Sequence, residues 1–302
     1  MTKTVAVISH DAGGAEILSS WLKRQSCLHL VVAEGPARKI FQSKIPNLQF
    51  VQLSEAISNC DWAVCGTSWQ STLEKEAIVA AKRATKTIVT FLDHWSNYGE
   101  RFLHQGAYTL PNELWVGDVY AQRIARNCFP DIPIILKPNY YFEDIRLELA
   151  QLSAHDYKTL PGTILYVTDP MGGHAFRQFG DKKHWGYDEH DALFYFLKNI
   201  HVLTSSPHTL RIRPHPAESS GKKKYEWAKQ WTELDVTICA ANSLISEIRE
   251  AEIVVGCDSM AMVIGLLAEK RVISSIPPQG KPVTLPYPEV EQLQHLIENW
   301  QD

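Results

Sequence analysis

The chain has 302 residues, 45% of them hydrophobic and 21% charged, which describes a soluble globular protein with an ample core. That length suits two domains, and a single large α/β domain is the alternative. A formal net charge of -4 excludes general affinity for nucleic-acid backbones, so any anion site must be local.

In chain order, Val5 to Ser9 is a β-rich apolar run, closed by His10-Asp11-Ala12-Gly13-Gly14 and followed by Ile17, Leu18 and Trp21 at helical spacing. This predicts a strand, a glycine turn and a helix. Leu28 to Ala33 predicts a second strand, Pro36 to Phe41 a helical segment, and Phe50 to Leu53 a third short strand. Trp62 to Gly66 is a fourth, then a helix from about Ser71 to Arg83 and a strand from Thr87 to Leu92. Strand Glu113 to Val116, helix Val119 to Asn127 and strand Ile132 to Leu136 complete this series. After Pro138-Asn139-Tyr140 the alternation lapses, and Glu143 to Asp156 reads as a charged helix ahead of Leu160-Pro161-Gly162. A second series runs through strand Thr163 to Thr168, loop Asp169 to Gly186, helix Asp188 to Leu203 and strand Leu210 to Arg213. It continues with helix Lys222 to Trp231, strand Val236 to Ile238, helix Ser243 to Arg249 and strand Ile253 to Gly256. Helix Ser259 to Leu267, strand Arg271 to Ile276 and helix Glu289 to Trp300 close the chain. Alternation at this spacing implies parallel sheets covered on both faces. The fold class is therefore α/β, with two tandem Rossmann-like domains at 1–140 and 141–302.

The six cysteines, Cys27, Cys60, Cys65, Cys128, Cys239 and Cys257, are scattered, mostly in or beside apolar runs, with no Cys-x-x-Cys. They read as reduced, buried thiols of a cytoplasmic protein, with neither a structural zinc nor a disulfide framework. The first apolar run is too short for a signal peptide. The longest apolar stretch, Ile253 to Ala268, is broken by Asp258 and Ser259, so no transmembrane segment is expected, and peripheral membrane contact is left open.

Chemistry is expected at strand tips, where parallel sheets bind ligands. His10-Asp11-Ala12-Gly13-Gly14 joins the first strand to its helix: the glycines permit close backbone approach, and Asp11 suits a helix cap as well as a ligand-facing carboxylate. Glu34 lies about where a dinucleotide fingerprint places its acid, but no G-x-G-x-x-G is present, which argues against a nicotinamide site. Asp93-His94-Trp95-Ser96-Asn97-Tyr98, with Arg101 close behind, suits a sugar, whose ring stacks on an aromatic while its hydroxyls meet Asp and His. Gly66-Thr67-Ser68-Trp69 reads more simply as capping residues, and Lys222-Lys223-Lys224 as a solvated helix start. In the second half, Asp169-Pro170-Met171-Gly172-Gly173-His174 opens a long loop, and long loops in compact domains tend to bind or cover ligands. Arg211-Ile212-Arg213-Pro214-His215-Pro216-Ala217-Glu218 holds a histidine between two prolines, which stiffen its backbone. Gly256-Cys257-Asp258-Ser259-Met260 turns from strand to helix and offers a second phosphate seat, Ser259 alone also suiting a plain N-cap.

Arg213-Pro214-His215-Pro216 with Glu218, and Gly256-Cys257-Asp258-Ser259-Met260 with its apolar helix and Lys270-Arg271-Val272-Ile273, resemble glycosyltransferases of the GT-B fold. The likeness is to bacterial surface-polysaccharide enzymes with a His-Pro and a later serine motif, including sialyl-, polysialyl- and Kdo-transferases that use CMP-sugars. The resemblance implies two Rossmann-like domains facing across a cleft, the first on the acceptor side and the second holding the donor. It implies that His215 and Ser259 meet the donor phosphate, with Arg213, Glu218, Asp258, Met260, Gly172 and Gly173 around them. Asp11 or Asp93 would be the general base, and His10, Gly13, Gly14, His94 and Trp95 would line the acceptor side. The implied partners are a nucleotide-sugar donor, CMP-sugars favoured, and a glycan or surface-carbohydrate acceptor. The absence of an Asp-x-Asp motif points to metal-independent, inverting transfer with no cofactor. The alternatives are a sugar-nucleotide 2-epimerase or hydrolase, with Glu218, Asp258 or Glu189 as acid and base, and a non-catalytic nucleotide-sugar binding subunit.

Overall fold

The computed structural model describes residues 2–69, 71–154, 158–203, 209–218, 221–238 and 242–300. Cys239, Asp156 and the Lys222 side chain lie outside the described residues. The chain forms two compact units, Met1–Asp144 and Ile145–Asp302.

The first unit runs β1 (Thr4–Ser9), α1 (Ala12–Leu22), β2 (Leu28–Ala33), α2 (Gly35–Lys44), α3 (Leu53–Asn59), β3 (Trp62–Cys65), α4 (Leu73–Arg83) and β4 (Thr87–Leu92). It continues with α5 (Tyr98–Phe102), the two-residue strands β5 (Leu103–His104) and β6 (Ala107–Tyr108), β7 (Glu113–Val116), α6 (Val119–Cys128), β8 (Ile134–Leu136) and α7 (Tyr140–Ala154), within which the unit boundary falls. Its parallel sheet has the order β2-β1-β3-β4-β7-β8, with β5 and β6 as a separate antiparallel pair. Val5 to Ile8 are wholly buried because both faces of a parallel sheet are covered, which is why β1 reads as an unbroken apolar run. One side of the core is aromatic, the Trp21, Trp62 and Trp115 rings lying 5.8–5.9 Å apart in tilted or edge contacts. Such pairs add about 0.5–1.5 kcal/mol each beyond the area they bury.

The second unit runs β9 (Thr163–Val167), α8 (Met171–Phe179), α9 (Glu189–Asn199), β10 (Thr209–Arg213), α10 (Gly221–Tyr225), β11 (Asp235–Ile238), α11 (Leu244–Glu250), β12 (Ile253–Gly256), α12 (Met260–Leu267), β13 (Arg271–Ser274), β14 (Val290–Gln292) and α13 (Leu293–Trp300). Its sheet is also six-stranded and parallel among the described residues, in the order β11-β10-β9-β12-β13-β14. Tyr166, Phe196, Leu210, Ile212 and Val255 anchor its core.

Several elements differ from expectation. The strand expected at Phe50 to Leu53 is a single bridge from Phe50 to Val31, because Leu53, Ala56 and Ile57 recur at helical spacing and α3 claims Leu53. The expected loop Asp169 to Gly186 contains α8, whose first turn holds Gly172 and Gly173; two glycines hide a helix because each disfavours one by roughly 1 kcal/mol. The helix expected from Lys222 splits into α10 and a 3-10 turn at Glu226–Gln230, and β14 takes the residues expected to begin the last helix. The free thiols of Cys60, Cys65 and Cys257 are buried and Cys27 is half-buried, but Cys128 is exposed at the end of α6. No helix among the described residues is long and apolar enough to cross a membrane.

Candidate active site

In the first unit the chain leaves β1 to one side for β2, then returns to place β3 on the other side, so the strand order reverses at β1 and β3, and their carboxyl ends are where such sheets bind ligands. The glycines make this geometry fit. A Cβ on Gly66 would lie 3.1 Å from the Gly14 Cα, so the two turns touch through their backbones.

Asp11 does not cap α1 with its side chain. Its Oδ1 instead lies 2.7 Å from His10 Nδ1 and accepts a hydrogen bond from Ser68 Oγ at 2.7 Å, and its Oδ2 accepts from the Trp69 backbone N–H at 3.2 Å. In the neutral tautomer that donates Nδ1–H to Asp11, Nε2 of His10 is the ring's acceptor. The His10 backbone N–H donates to Glu74 Oε1 at 2.7 Å, while Glu74 Oε2 is buried with no hydrogen-bond partner among the described residues. Burial pushes the Glu74 carboxyl up to about 7, with Asp11 adding to the effect and the His10 hydrogen bond opposing it.

Asp93 is tied differently. Its Oδ1 accepts from Thr67 Oγ1 at 2.9 Å and from Arg101 Nη1 at 3.2 Å, the buried guanidinium also donating to Thr67 Oγ1 and to the Ser96 carbonyl. Its Oδ2 lies over Gly13 in the first turn of α1, where a Cβ would come within 2.0 Å of it. The carboxylate thus sits between a cation and a helix N-terminus. His94 Nδ1 is 3.2 Å from Ser96 Oγ. Trp95, expected to line the acceptor side, is a core residue whose Nε1–H donates to Asp118 at 2.8 Å, and Tyr98 is buried as well. The exposed indole beside these carboxylates is Trp69, set aside in the sequence as part of a cap, with the Arg101 guanidinium 5.7 Å from its ring centre.

The second unit has its own switch of strand order, between β9 and β12. The His215 loop leaves β10, the neighbour of β9 on the other side. His215 donates its backbone N–H to Thr168 Oγ1 at 2.9 Å and to Glu218 Oε2 at 3.0 Å, and its Nδ1 accepts from the Ala217 N–H at 3.1 Å, which puts the neutral ring's proton on Nε2. Burial holds the imidazole below its ordinary pKa, with Glu218 opposing. Glu218 proves to be the frame of this loop: it also accepts from Thr168 Oγ1 (2.6 Å), Lys224 Nζ (2.6 Å) and Tyr225 OH (2.8 Å). Burial would raise its pKa, but the bonds from Lys224, Thr168 and Tyr225 together hold it below the usual carboxylate range. Lys224 is therefore no solvated lysine; it bridges Glu218 and Glu189.

Arg213 spends Nη1 on the buried Glu247, at 2.6 Å, and on the Asn242 carbonyl. Asp258 accepts from the backbone N–H groups of Thr284 and Leu285 and from Thr284 Oγ1, and so pins the segment after β13. The Gly172 N–H at the start of α8 is taken by Glu189 Oε2 at 2.7 Å, whereas Gly173 has open space where a Cβ would stand. Ser259 stands at the N-terminus of α12, ahead of Met260, yet makes no side-chain cap, and its Oγ is buried without a hydrogen-bond partner among the described residues. Asp169, at the tip of β9, was noted in the sequence but given no role; burial and the neighbouring Asp258 push its carboxyl up to about 6, with Lys281 opposing.

Among the described residues, Asp188, His190 and Asp191 bring metal-ligand atoms within 4.8 Å of one another, but this is the capping box of α9, and Asp191 also pairs with Lys183. Those groups are already engaged.

The backbone has clear structural relatives. It is similar to UDP-GlcNAc 2-epimerase from Methanocaldococcus jannaschii, with a TM-score of 0.62 at 10% identity over 99% of this chain and 92% of that one. It is similar to a putative UDP-N-acetylglucosamine 2-epimerase from Listeria monocytogenes, TM-score 0.58 at 12% identity over 100% and 88%, and to MurG from Acinetobacter baumannii, TM-score 0.51 at 11% over 99% and 90%. At these identities the likeness establishes the fold, two parallel α/β units of the GT-B type. No protein-family model matches the sequence, and no curated relative matches it.

Proposed function

We propose that the protein is a GT-B glycosyltransferase that moves a sugar from a nucleotide-sugar donor to a carbohydrate hydroxyl, by a metal-independent, inverting route. The observation that carries this reading is Ser259: a buried hydroxyl without a partner among the described residues, at a helix N-terminus it does not cap, at the strand tip beside the switch point of the second unit. A phosphate oxygen satisfies both the hydroxyl and the free N–H groups of α12. His215 Nε2–H, on a loop framed by Glu218, is the second donor to that phosphate.

The first unit supplies the base. In the first unit His10, oriented by Asp11, is the group suited to take a hydroxyl's proton on Nε2. In transfer the acceptor oxygen, relieved of its proton, attacks the anomeric carbon as the bond from that carbon to the phosphate oxygen breaks; the nucleotide leaves with the electron pair, and in the second unit His215, Ser259 and the α12 dipole are the groups suited to meet its charge. Asp93, already paired with Arg101, holds the turn into α1 and offers Oδ2 to an acceptor hydroxyl, and the Trp69 indole offers a face to the sugar ring. The donor class is a CMP-sugar on the motif resemblance and a UDP-sugar on the named activity of the two epimerase neighbours, so both belong in the test. Nucleotide release from each donor, with and without glycan acceptors, is the assay. His10→Ala should lower turnover about 10²–10⁴-fold with donor affinity kept, and His215→Ala should weaken donor binding. Wild-type transfer by both variants would sink the reading.

The second reading, a sugar-nucleotide 2-epimerase or hydrolase, is favoured by Asp169, a carboxyl in the second unit that titrates near neutrality, as an acid or base requires. Glu218, Asp258 and Glu189 suit that role poorly, because each already holds several donors. Epimerised sugar or free nucleotide from UDP-GlcNAc without any acceptor would decide for it.

A further inference from the structure

Asp169 differs from every other carboxyl near it. It follows β9, the strand lying between β10 with its His215 loop and β12 with its Ser259 turn, so it sits where the strand order reverses. The charged groups facing it come from four elements: Asp258 from the turn between β12 and α12, Lys281 from the segment after β13, Glu189 from α9, and Glu218 from the His215 loop. Asp258 has three hydrogen-bond donors, Glu218 four, and Glu189 is held by the Gly172 N–H and Lys224. Asp169 has none among the described residues. Three carboxylates and one lysine around a half-buried carboxyl without donors make its ionised form the costly one.

A phosphate brought to this strand tip adds more negative charge. Beside an ionised Asp169 it would be repelled; beside the neutral acid it gains an O–H donor. We propose that Asp169 meets the donor phosphate as a neutral carboxylic acid, donating a hydrogen bond to a phosphate oxygen, so that the second unit takes up a proton as it takes up a nucleotide sugar. This rests on the reading that the second unit holds the donor phosphate, and it applies equally to transfer and to epimerisation.

The sign follows from linkage. The free carboxyl titrates at about 6, and the bound one titrates higher because the phosphate penalises its ionisation. Below about pH 6 the acid is neutral in both states and affinity is flat; above it, affinity falls by up to tenfold per pH unit until the bound group also ionises. His215 contributes its own proton dependence, so the informative quantity is the difference between proteins that share it.

The test is calorimetric binding of UDP-GlcNAc and of a CMP-linked sugar between pH 5.5 and 8.5, since these phosphodiesters do not titrate in that range. Wild type and Asp169→Asn, whose amide is a permanent donor, are compared in buffers of different ionisation enthalpy. The two should bind alike at pH 5.5, and Asp169→Asn should bind more tightly at pH 8, by up to about a hundredfold, with less proton uptake. Parallel pH profiles, or weaker binding by Asp169→Asn throughout, would overturn the proposal while leaving the donor site standing. Proton uptake of zero by the wild type at pH 7 would overturn it even if the variant did not fold. Binding of neither donor at any pH would remove the donor site and this proposal together.

Discussion

At the scale of single residues, burial decides which ionisable groups matter, and burial is what a sequence conceals. The strand-tip positions of His10, Asp11, Asp93, His215 and Ser259 were legible because each stands where a strand run gives way to a turn or helix. Glu74 was not legible, being one of several acids in the helix after β3, and nothing local marks it as the one turned inward against His10. Its carboxyl is raised from 4.5 to about 7, so the native state favours the protonated form. Native stability should therefore fall as pH rises from about 4.5 to 7 and level off above, where Glu74 is charged in both the folded and unfolded chain. Glu74→Gln keeps an acceptor for the His10 N–H and removes the charge. Denaturant unfolding of the two proteins across pH 4.5–8 should show the variant gaining roughly 1–3 kcal/mol on the wild type over that window. A constant gap would mean that Glu74 is not the titrating group.

At the scale of elements, the glycine turns bring backbones close at the strand tips, and α12 begins without a side-chain cap. Gly13 and Gly173 both stand in the first turn of a helix, and they should respond oppositely to alanine. At Gly13 the new Cβ meets Asp93 Oδ2 at 2.0 Å, and Asp93 cannot retreat from Arg101 and Thr67, so Gly13→Ala should cost about 1–3 kcal/mol and displace the carboxylate. At Gly173 the Cβ meets nothing within 4 Å, so Gly173→Ala should add about 0.5–1 kcal/mol of stability. Thermal unfolding measures both. If Gly173→Ala is stabilised yet loses nucleotide affinity, the donor phosphate approaches that backbone, as the motif resemblance implies. α8 itself escaped the sequence because Gly172-Gly173 opposes a helix locally; Glu189, 17 residues further on, holds its first turn by accepting the Gly172 N–H.

At the scale of the whole molecule, each unit has its own core and its own switch in strand order, so ligand effects should be separable. A saturating nucleotide sugar should protect amides at the ends of β9, β10 and β12 from hydrogen exchange and leave the first unit's β1 and β3 tips nearly unchanged; stabilisation by about 2.7 kcal/mol is expected at 100 times Kd. Protection confined to the first unit would reverse the assignment of donor and base. By itself the sequence determined the α/β class, the two parallel-sheet series and most of the turns at the strand tips, because β-branched runs, helical spacing and glycine turns are local signals. Tertiary structure alone decided that Trp95 is core while Trp69 is exposed, that Glu218 frames the His215 loop, that Lys224 is bridged rather than solvated, and that Asp169 stands without a donor among the described residues. Those outcomes depend on partners up to about a hundred residues away, and hydrogen bonding and desolvation are set by where such partners come to lie, not by the residues beside them in the chain.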